Sequence, residues 1–250
     1  MDITRAEDLE KAMKGCDAVI HAAAEVDETK TETHLWNVNV EGTKNALKAA
    51  ENARVKQFIF LSSVGVFGPQ SGKKDEKSTL EPHTAYERSK KEAEDAVMAY
   101  QEVFPVTIIR PSLVLGPNKY WKDIFKIIKK GFPLIGKGSN AWQLIYVKDL
   151  AAFIVHCVGN EDTYNETFVC AEREIHTLRE IVDAVADIQG VKHVGSIPKW
   201  LGYAGSYIFA VQGKITGKTP LLIPAHVTRL FKHREYSIQK ALATGWKPHY

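Results

Sequence analysis

Tyr86 and Lys90 stand four residues apart in the run Thr84-Ala85-Tyr86-Glu87-Arg88-Ser89-Lys90, which opens a helical pattern reaching to about Tyr100. On a helix that spacing puts both side chains on one face, one turn from each other. A tyrosine phenol titrates near pH ~10, and an ammonium held beside it favours the phenolate. Such a pair can exchange a proton with a substrate hydroxyl near neutral pH. The same spacing also suits an ordinary solvated helix face, since Lys91, Glu92, Glu94 and Asp95 follow at once.

The elements that would have to position this pair lie upstream. Lys56 to Leu61 is a short apolar run suited to a buried parallel strand, and it ends in Ser62-Ser63-Val64-Gly65-Val66-Phe67-Gly68. Serines at the carboxyl end of a strand in an open α/β sheet sit where such sheets bind ligands. Ser62-Ser63, the small-residue turn closing on Gly68, Asp75-Glu76 in the following loop, and Tyr86 to Lys90 occur in that order and at fitting spacing. With these pieces the chain resembles the extended short-chain dehydrogenase/reductase family, which includes nucleotide-sugar epimerases, 3β-hydroxysteroid dehydrogenases and dihydroflavonol reductases.

The resemblance implies roles residue by residue. Tyr86 is the general base for oxidation, or acid for reduction, while hydride moves between a substrate carbon and a nicotinamide, NAD or NADP. Lys90 lowers the tyrosine pKa and holds the nicotinamide ribose. Ser63 hydrogen-bonds the substrate oxygen, and Ser62 lies beside it along the cofactor. Asp2 and Ile3 fall beside the adenine, Ala22, Ala23 and Ala24 let the backbone pass close to the adenosine end, and Asn39 orders the site by hydrogen bonding. Pro111 ends the strand that passes the nicotinamide, and Leu113 lies near the ring. No metal is implied. The Val64-Gly65-Val66 turn carries no Asp-Glu pair of the kind that sugar dehydratases of this family use, so oxidoreduction, or epimerisation through a transient ketone, fits better than dehydration.

The fold expected is a partial Rossmann-type doubly wound parallel sheet with its first strands absent, followed by a small C-terminal α+β substrate lobe. Residues 1–130, with a strand and helix near 141–158, would form the dinucleotide-binding part and 131–250 mainly the substrate lobe. No Gly-x-Gly-x-x-Gly or Gly-x-x-Gly-x-x-Gly occurs, and about two βα units, on the order of 50 residues, fall short of the family pattern. A fragment of a longer enzyme, or a start taken at an internal methionine, is favoured over a shortened protein. Without a neighbouring first strand, residues 18–21 would form an exposed apolar edge.

Helices are expected over about Thr31 to Ala53, Trp121 to Lys130 and Thr177 to Ile188, and strands at Asp17 to Ala24, Pro105 to Pro111, Gln143 onward and Thr167 to Ala171. Thr4 with Glu7 has capping-box spacing, and Asp149 is placed to cap the helix that follows Tyr146, itself a possible substrate contact. The Pro69 to Pro82 loop, rich in Gly, Lys, Ser and Asp, is expected to be mobile and to cover the site. Gly217 to Leu222 and Ser237 to Pro248 match closing features of the steroid-dehydrogenase and dihydroflavonol-reductase branches.

Composition is that of an ordinary globular protein, with 44% hydrophobic and 25% charged residues among 250. The formal charge of +3 is low and the basic residues look scattered, so neither nucleic acid nor an anionic membrane is implied. Cys16, Cys157 and Cys170 have no metal spacing and suit a reducing compartment. No leader opens the chain and no apolar run reaches the ~18 residues of a membrane span, which together point to a cytoplasmic protein. The leading expectation is an NAD(P)-dependent oxidoreductase acting on a secondary alcohol of a steroid-like, flavonoid-like or other small carbonyl compound. A nucleotide-sugar epimerase is the alternative, with Arg229, Lys232, His233 and Arg234 available to meet a diphosphate. A cofactor-free scaffold or relic is the reading from another class. The family often dimerises through helices equivalent to Thr31 to Ala53 and Ala85 to Tyr100, so a homodimer is expected.

Overall fold

The structure is a computed structural model and describes residues 2–69, 71–191, 194–217 and 222–250. It divides into two compact units, one of Met1–Val114, Leu144–Arg173 and Tyr236–Tyr250, the other of Leu115–Gln143 and Glu174–Glu235.

The first unit is built on four parallel strands, Ala18–His21, Gln57–Leu61, Val106–Pro111 and Glu166–Cys170, in that order across the sheet. Phe58-Ile59-Phe60 is a continuous apolar run and Val106 to Ile109 is interrupted only by the buried Thr107, as suits strands covered on both faces. Alternation sorts them. Phe58, Phe60, Val106 and Ile108 face one cluster with Leu9, Leu47 and Val97. Ile59 and Ile109 face the other, with Phe153, Phe168 and Trp246. Helices Glu32–Trp36 and Gly42–Ala53, continuous through a π-turn at Asn37–Glu41, then Ala85–Met98 and Val147–Cys157, link the strands as crossovers. The doubly wound parallel sheet is the one anticipated, and Ala18–His21 is its edge.

The second unit carries helices Lys119–Lys129, Leu178–Ile188, Lys199–Thr216 and Pro224–Leu230, and a two-stranded parallel ladder of Leu134–Ile135 with Ser196–Ile197. Lys218 to Leu221, within one of the closing features of the sequence, lie outside the described residues.

Three local expectations are corrected. Helix Ala6–Met13 is preceded by Arg5 with no side-chain cap, because Thr4 spends its backbone N–H (2.9 Å) and hydroxyl (2.8 Å) on Asp2 Oδ1. Asp149 does not cap helix Val147–Cys157. Its buried carboxylate accepts from the backbone N–H of His249 (2.9 Å) and Tyr250 (3.0 Å) and so ties down the C-terminal segment. In the loop after Gly68, residues 74–76 are anchored rather than loose. Lys74 is buried and its carbonyl accepts from Ser237 N at 2.7 Å, while Glu76 Oε1 accepts from Val169 N at 2.8 Å.

Candidate active site

Strand Gln57–Leu61 delivers the serines. The ladder continues one residue past it, with Ser62 N donating to Ile109 O at 2.7 Å. Ser63 then caps a 3-10 turn, Val64–Phe67, its Oγ accepting from Gly65 N at 3.0 Å. Gly68 closes the turn at φ +66°, and a Cβ there would stand 1.9 Å from Glu81 O, so only glycine allows the returning chain so close.

Thr84 and Glu87 start the next helix as a full capping box: Thr84 Oγ1 accepts from Glu87 N (3.2 Å) and Glu87 Oε2 accepts from Thr84 N (3.0 Å). This puts half-buried Tyr86 in the first turn and buried Lys90 one turn on. The Ser63 turn and the Tyr86 turn are packed together, since a Cβ on Gly65 would lie 3.1 Å from Glu87 Cγ.

Lys90 reaches back under the strand end. Its Nζ donates to Leu61 O at 2.6 Å and lies 4.3 Å from the centre of the Phe60 ring. Burial pushes its pKa down to about 7, against a smaller opposing pull from Glu94. The Ser63 turn, the helix turn that carries Tyr86 and the Lys90 ammonium therefore lie together at the carboxyl end of one strand.

Asn39, in the π-turn, holds this corner from behind. Its Oδ1 accepts from Glu25 N (2.8 Å), and its Nδ2 donates to Glu25 O (3.0 Å) and to Ser89 Oγ (2.9 Å). The Ser89 hydroxyl donates in turn to Tyr86 O at 2.8 Å. One amide thus couples the segment after the first strand to the turn that carries Tyr86. Ser89 was missed in the sequence, where a serine directly before a lysine carries no signature of its own.

His21 was missed as well. It is buried at the end of the edge strand, stacked on Phe60 with ring centres 5.7 Å apart. The Thr43 hydroxyl gives its hydrogen to Asn39 O at 2.6 Å, so the His21 Nε2 found 3.0 Å from Thr43 Oγ1 is the donor, which assigns the tautomer. Burial first, and the charge of Lys90 second, push the His21 pKa down to about 4.

The remaining sequence candidates are placed as follows. Ala22 and Ala23 are exposed and Ala24 half-buried just beyond the first strand. Pro111 ends strand Val106–Pro111 and Leu113 is half-buried two residues on. Ser62 Oγ, at the end of its strand, and Ser112 Oγ, at the end of the neighbouring one, are buried without a hydrogen-bond partner among the described residues. Asp2 is exposed and held by Thr4, whose hydrogen bonds lower its pKa. Ile3 is packed in the core against Gly42, where a Cβ would come within 2.8 Å of Ile3 Cδ1.

A parallel sheet wound on both faces, with hydroxyls and a buried lysine gathered at the carboxyl ends of adjacent strands, defines a Rossmann-type α/β protein, a fold that binds ligands at that end as a rule. The family model described as "NAD dependent epimerase/dehydratase family" matches residues 1–171, and the chain belongs to that family of NAD-dependent enzymes, a branch of the extended short-chain dehydrogenase/reductases. An N-acetyl-alpha-D-glucosaminyl-diphospho-ditrans,octacis-undecaprenol 4-epimerase of Escherichia coli O157:H7 is 28% identical over 255 residues, covering 98% of this chain and 77% of that one. A UDP-glucose 4-epimerase of Vibrio cholerae is 28% identical over 262 residues, covering 99% and 76%. Among solved structures, UDP-glucuronic acid 4-epimerase from Bacillus cereus in complex with NAD superposes with a TM-score of 0.78 at 21% identity, covering 100% of this chain and 74% of that one, and shares the fold.

Proposed function

We propose that the chain carries out reversible oxidation of a secondary hydroxyl on a diphosphate-linked sugar with NAD or NADP, as a 4-epimerase does. The observation that supports this reading is that the Ser63 turn, the helix turn bearing Tyr86 and the Lys90 ammonium gather at one strand end, in a chain of this family. The two relatives described above, both epimerases of diphosphate-linked sugars, favour this over a steroid-like or flavonoid-like substrate.

Two buried hydroxyls at adjacent strand ends, Ser62 Oγ and Ser112 Oγ, have no partner among the described residues and suit a polar ligand lying across the sheet. With Ala22, Ala23, Ala24, Pro111 and Leu113 they would hold the nicotinamide cofactor, Asp2 and Ile3 would stand toward its adenine end, and Asn39 would fix the segment after the first strand. Bound there, the cofactor would supply a hydride acceptor and return the hydride. Tyr86 would take the hydroxyl proton as the carbon is oxidised and give it back when the ketone is reduced. Ser63 would hydrogen-bond the same oxygen as charge develops on it. Lys90, with a pKa near neutrality, would lend positive charge to the phenolate and hold the ribose.

The test is calorimetric titration of the 250-residue chain with NADH and NADPH, followed by NMR of the sugar after incubation with UDP-glucose and with UDP-N-acetylglucosamine. Cofactor binding with 4-inversion, lowered about 10²-fold or more by Tyr86→Phe while binding persists, is the expected result. Indifference to both cofactors would overturn the reading.

A further inference from the structure

A helix on the surface of a globular protein normally turns its polar side outward. Helix Lys199–Thr216 does the reverse. Its inner side is settled by close packing. Ser206 is fully buried, and a Cβ on Gly202 would come within 2.3 Å of Ile135. Tyr203 hydrogen-bonds Thr228 Oγ1 at 3.0 Å, and the Lys199 ammonium sits 4.0 Å from the centre of the Phe231 ring. The outer side carries Trp200, Leu201, Tyr207, Ile208, Val211 and Ile215, and all of these but Leu201 are more than half exposed. At ~100° per residue these six fall within an arc of about 120°, and the stripe runs about 22 Å. A continuous apolar strip of this size on an exposed face marks an interaction site.

The composition of the sequence around the strip favours one occupant. From residue 188 to 234 the chain has no aspartate or glutamate, yet it holds Lys192, Lys199, Lys214, Lys218, Arg229, Lys232 and Arg234. The balance of +3 over the whole chain conceals this, because the acids lie elsewhere. An apolar strip carrying a tryptophan and a tyrosine, set in an acid-free basic segment, has the composition of an element that lies in the headgroup layer of an anionic membrane. Rings such as those of Trp200 and Tyr207 favour that depth, where one side is apolar and the other wet. A second copy of the chain is a poorer occupant, since a two-fold pairing would set the basic segment against itself. No helix among the described residues is long and apolar enough to cross a membrane.

We infer that helix Lys199–Thr216 is a monotopic anchor that lays its Trp200 to Ile215 face onto an anionic lipid bilayer. This rests on the helix alone and is independent of the reaction proposed above.

The test is co-sedimentation of the full chain with vesicles of phosphatidylcholine, and of phosphatidylcholine with a quarter phosphatidylglycerol, for the native sequence and for the double variant Ile208→Glu/Val211→Glu. Both substituted side chains are exposed, so circular dichroism of the variant should match the parent. The expected result is partition onto the anionic vesicles, weaker on neutral ones and at about 0.5 M salt, and reduced more than about tenfold in the variant. Failure to sediment with anionic vesicles, or sedimentation that the variant leaves unchanged, overturns the proposal. So does a dimer in sedimentation velocity that the variant dissociates while vesicles have no effect, which would make a second copy the occupant.

Discussion

His21 shows how one buried side chain writes a pH dependence into the site. Its ordinary pKa of 6.5 falls to about 4 because burial, and then Lys90, disfavour the imidazolium. The folded state therefore resists the proton that the unfolded chain accepts first, and stability is full above pH ~6.5 and lost as pH falls from there toward 4. The drop should be roughly 3 kcal/mol, from ~1.4 kcal/mol per unit of displacement. Urea unfolding at a series of pH values between 7 and 4.5 reads it directly. His21→Gln keeps a donor for Thr43 and removes the titration, so its stability should be flatter across that window; an unchanged slope would assign the effect to other groups. The neighbouring Asn39 and Ser89 act through geometry rather than charge, since their hydrogen bonds end on Tyr86 O and on the backbone of Glu25.

Between elements, a join that holds helix Ala85–Met98 to the sheet, besides the Lys90 contact with Leu61 O, is the buried ion pair of Glu94 and Arg110. The guanidinium donates through Nε (2.9 Å) and Nη2 (2.7 Å) to the two carboxylate oxygens, with side-chain exposures of 7% and 4%, and it also lies 5.3 Å from the centre of the Phe67 ring. Replacing such a pair wholesale by apolar residues can be neutral, but removing one partner strands a buried charge. Glu94→Ala should therefore cost about 3–5 kcal/mol in urea unfolding, with Glu94→Gln between it and the parent. A loss below about 1 kcal/mol would show that water or rearrangement satisfies Arg110. The elements themselves were readable in the sequence where their cause is local. The apolar run at Phe58 to Leu61 and the four-residue spacing of Tyr86 and Lys90 carry their own periodicity, and the helix that follows Thr84 is closed by partners three residues apart. What escaped was held by distant partners. The loop after Gly68 looked mobile from its composition, yet Glu76 is fixed by Val169 and Lys74 by Ser237, contacts with no local trace. Asp149 looked like a helix cap because the sequence around it fits one, and its real partners lie a hundred residues away, at His249 and Tyr250. Ser89 and His21 passed unremarked because serine before lysine, or histidine after an apolar run, has no signature until the folded chain closes a network around it.

At the scale of the molecule, two stretches of exposed apolar surface among the described residues should act separately. One is the strip on helix Lys199–Thr216. The other is the sheet edge, where strand Ala18–His21 is hydrogen-bonded to Gln57–Leu61 and has no partner strand on its other side among the described residues. Ile20 there is 47% exposed, and an apolar edge strand is a template for pairing with a second chain. Its shortness, four residues, limits that risk but leaves backbone donors and acceptors open. A lysine is the usual guard at such an edge. Ile20→Lys should therefore raise the temperature at which a concentrated solution begins to scatter light, while changing unfolding free energy by no more than about 0.5 kcal/mol, as for other exposed positions. Ile208→Glu/Val211→Glu, which alters only the helix, should leave the scattering onset where it was. If instead the helix variant moves the onset and Ile20→Lys does not, self-association runs through the second unit and the strand edge is inert, its short backbone ladder too weak to recruit another chain.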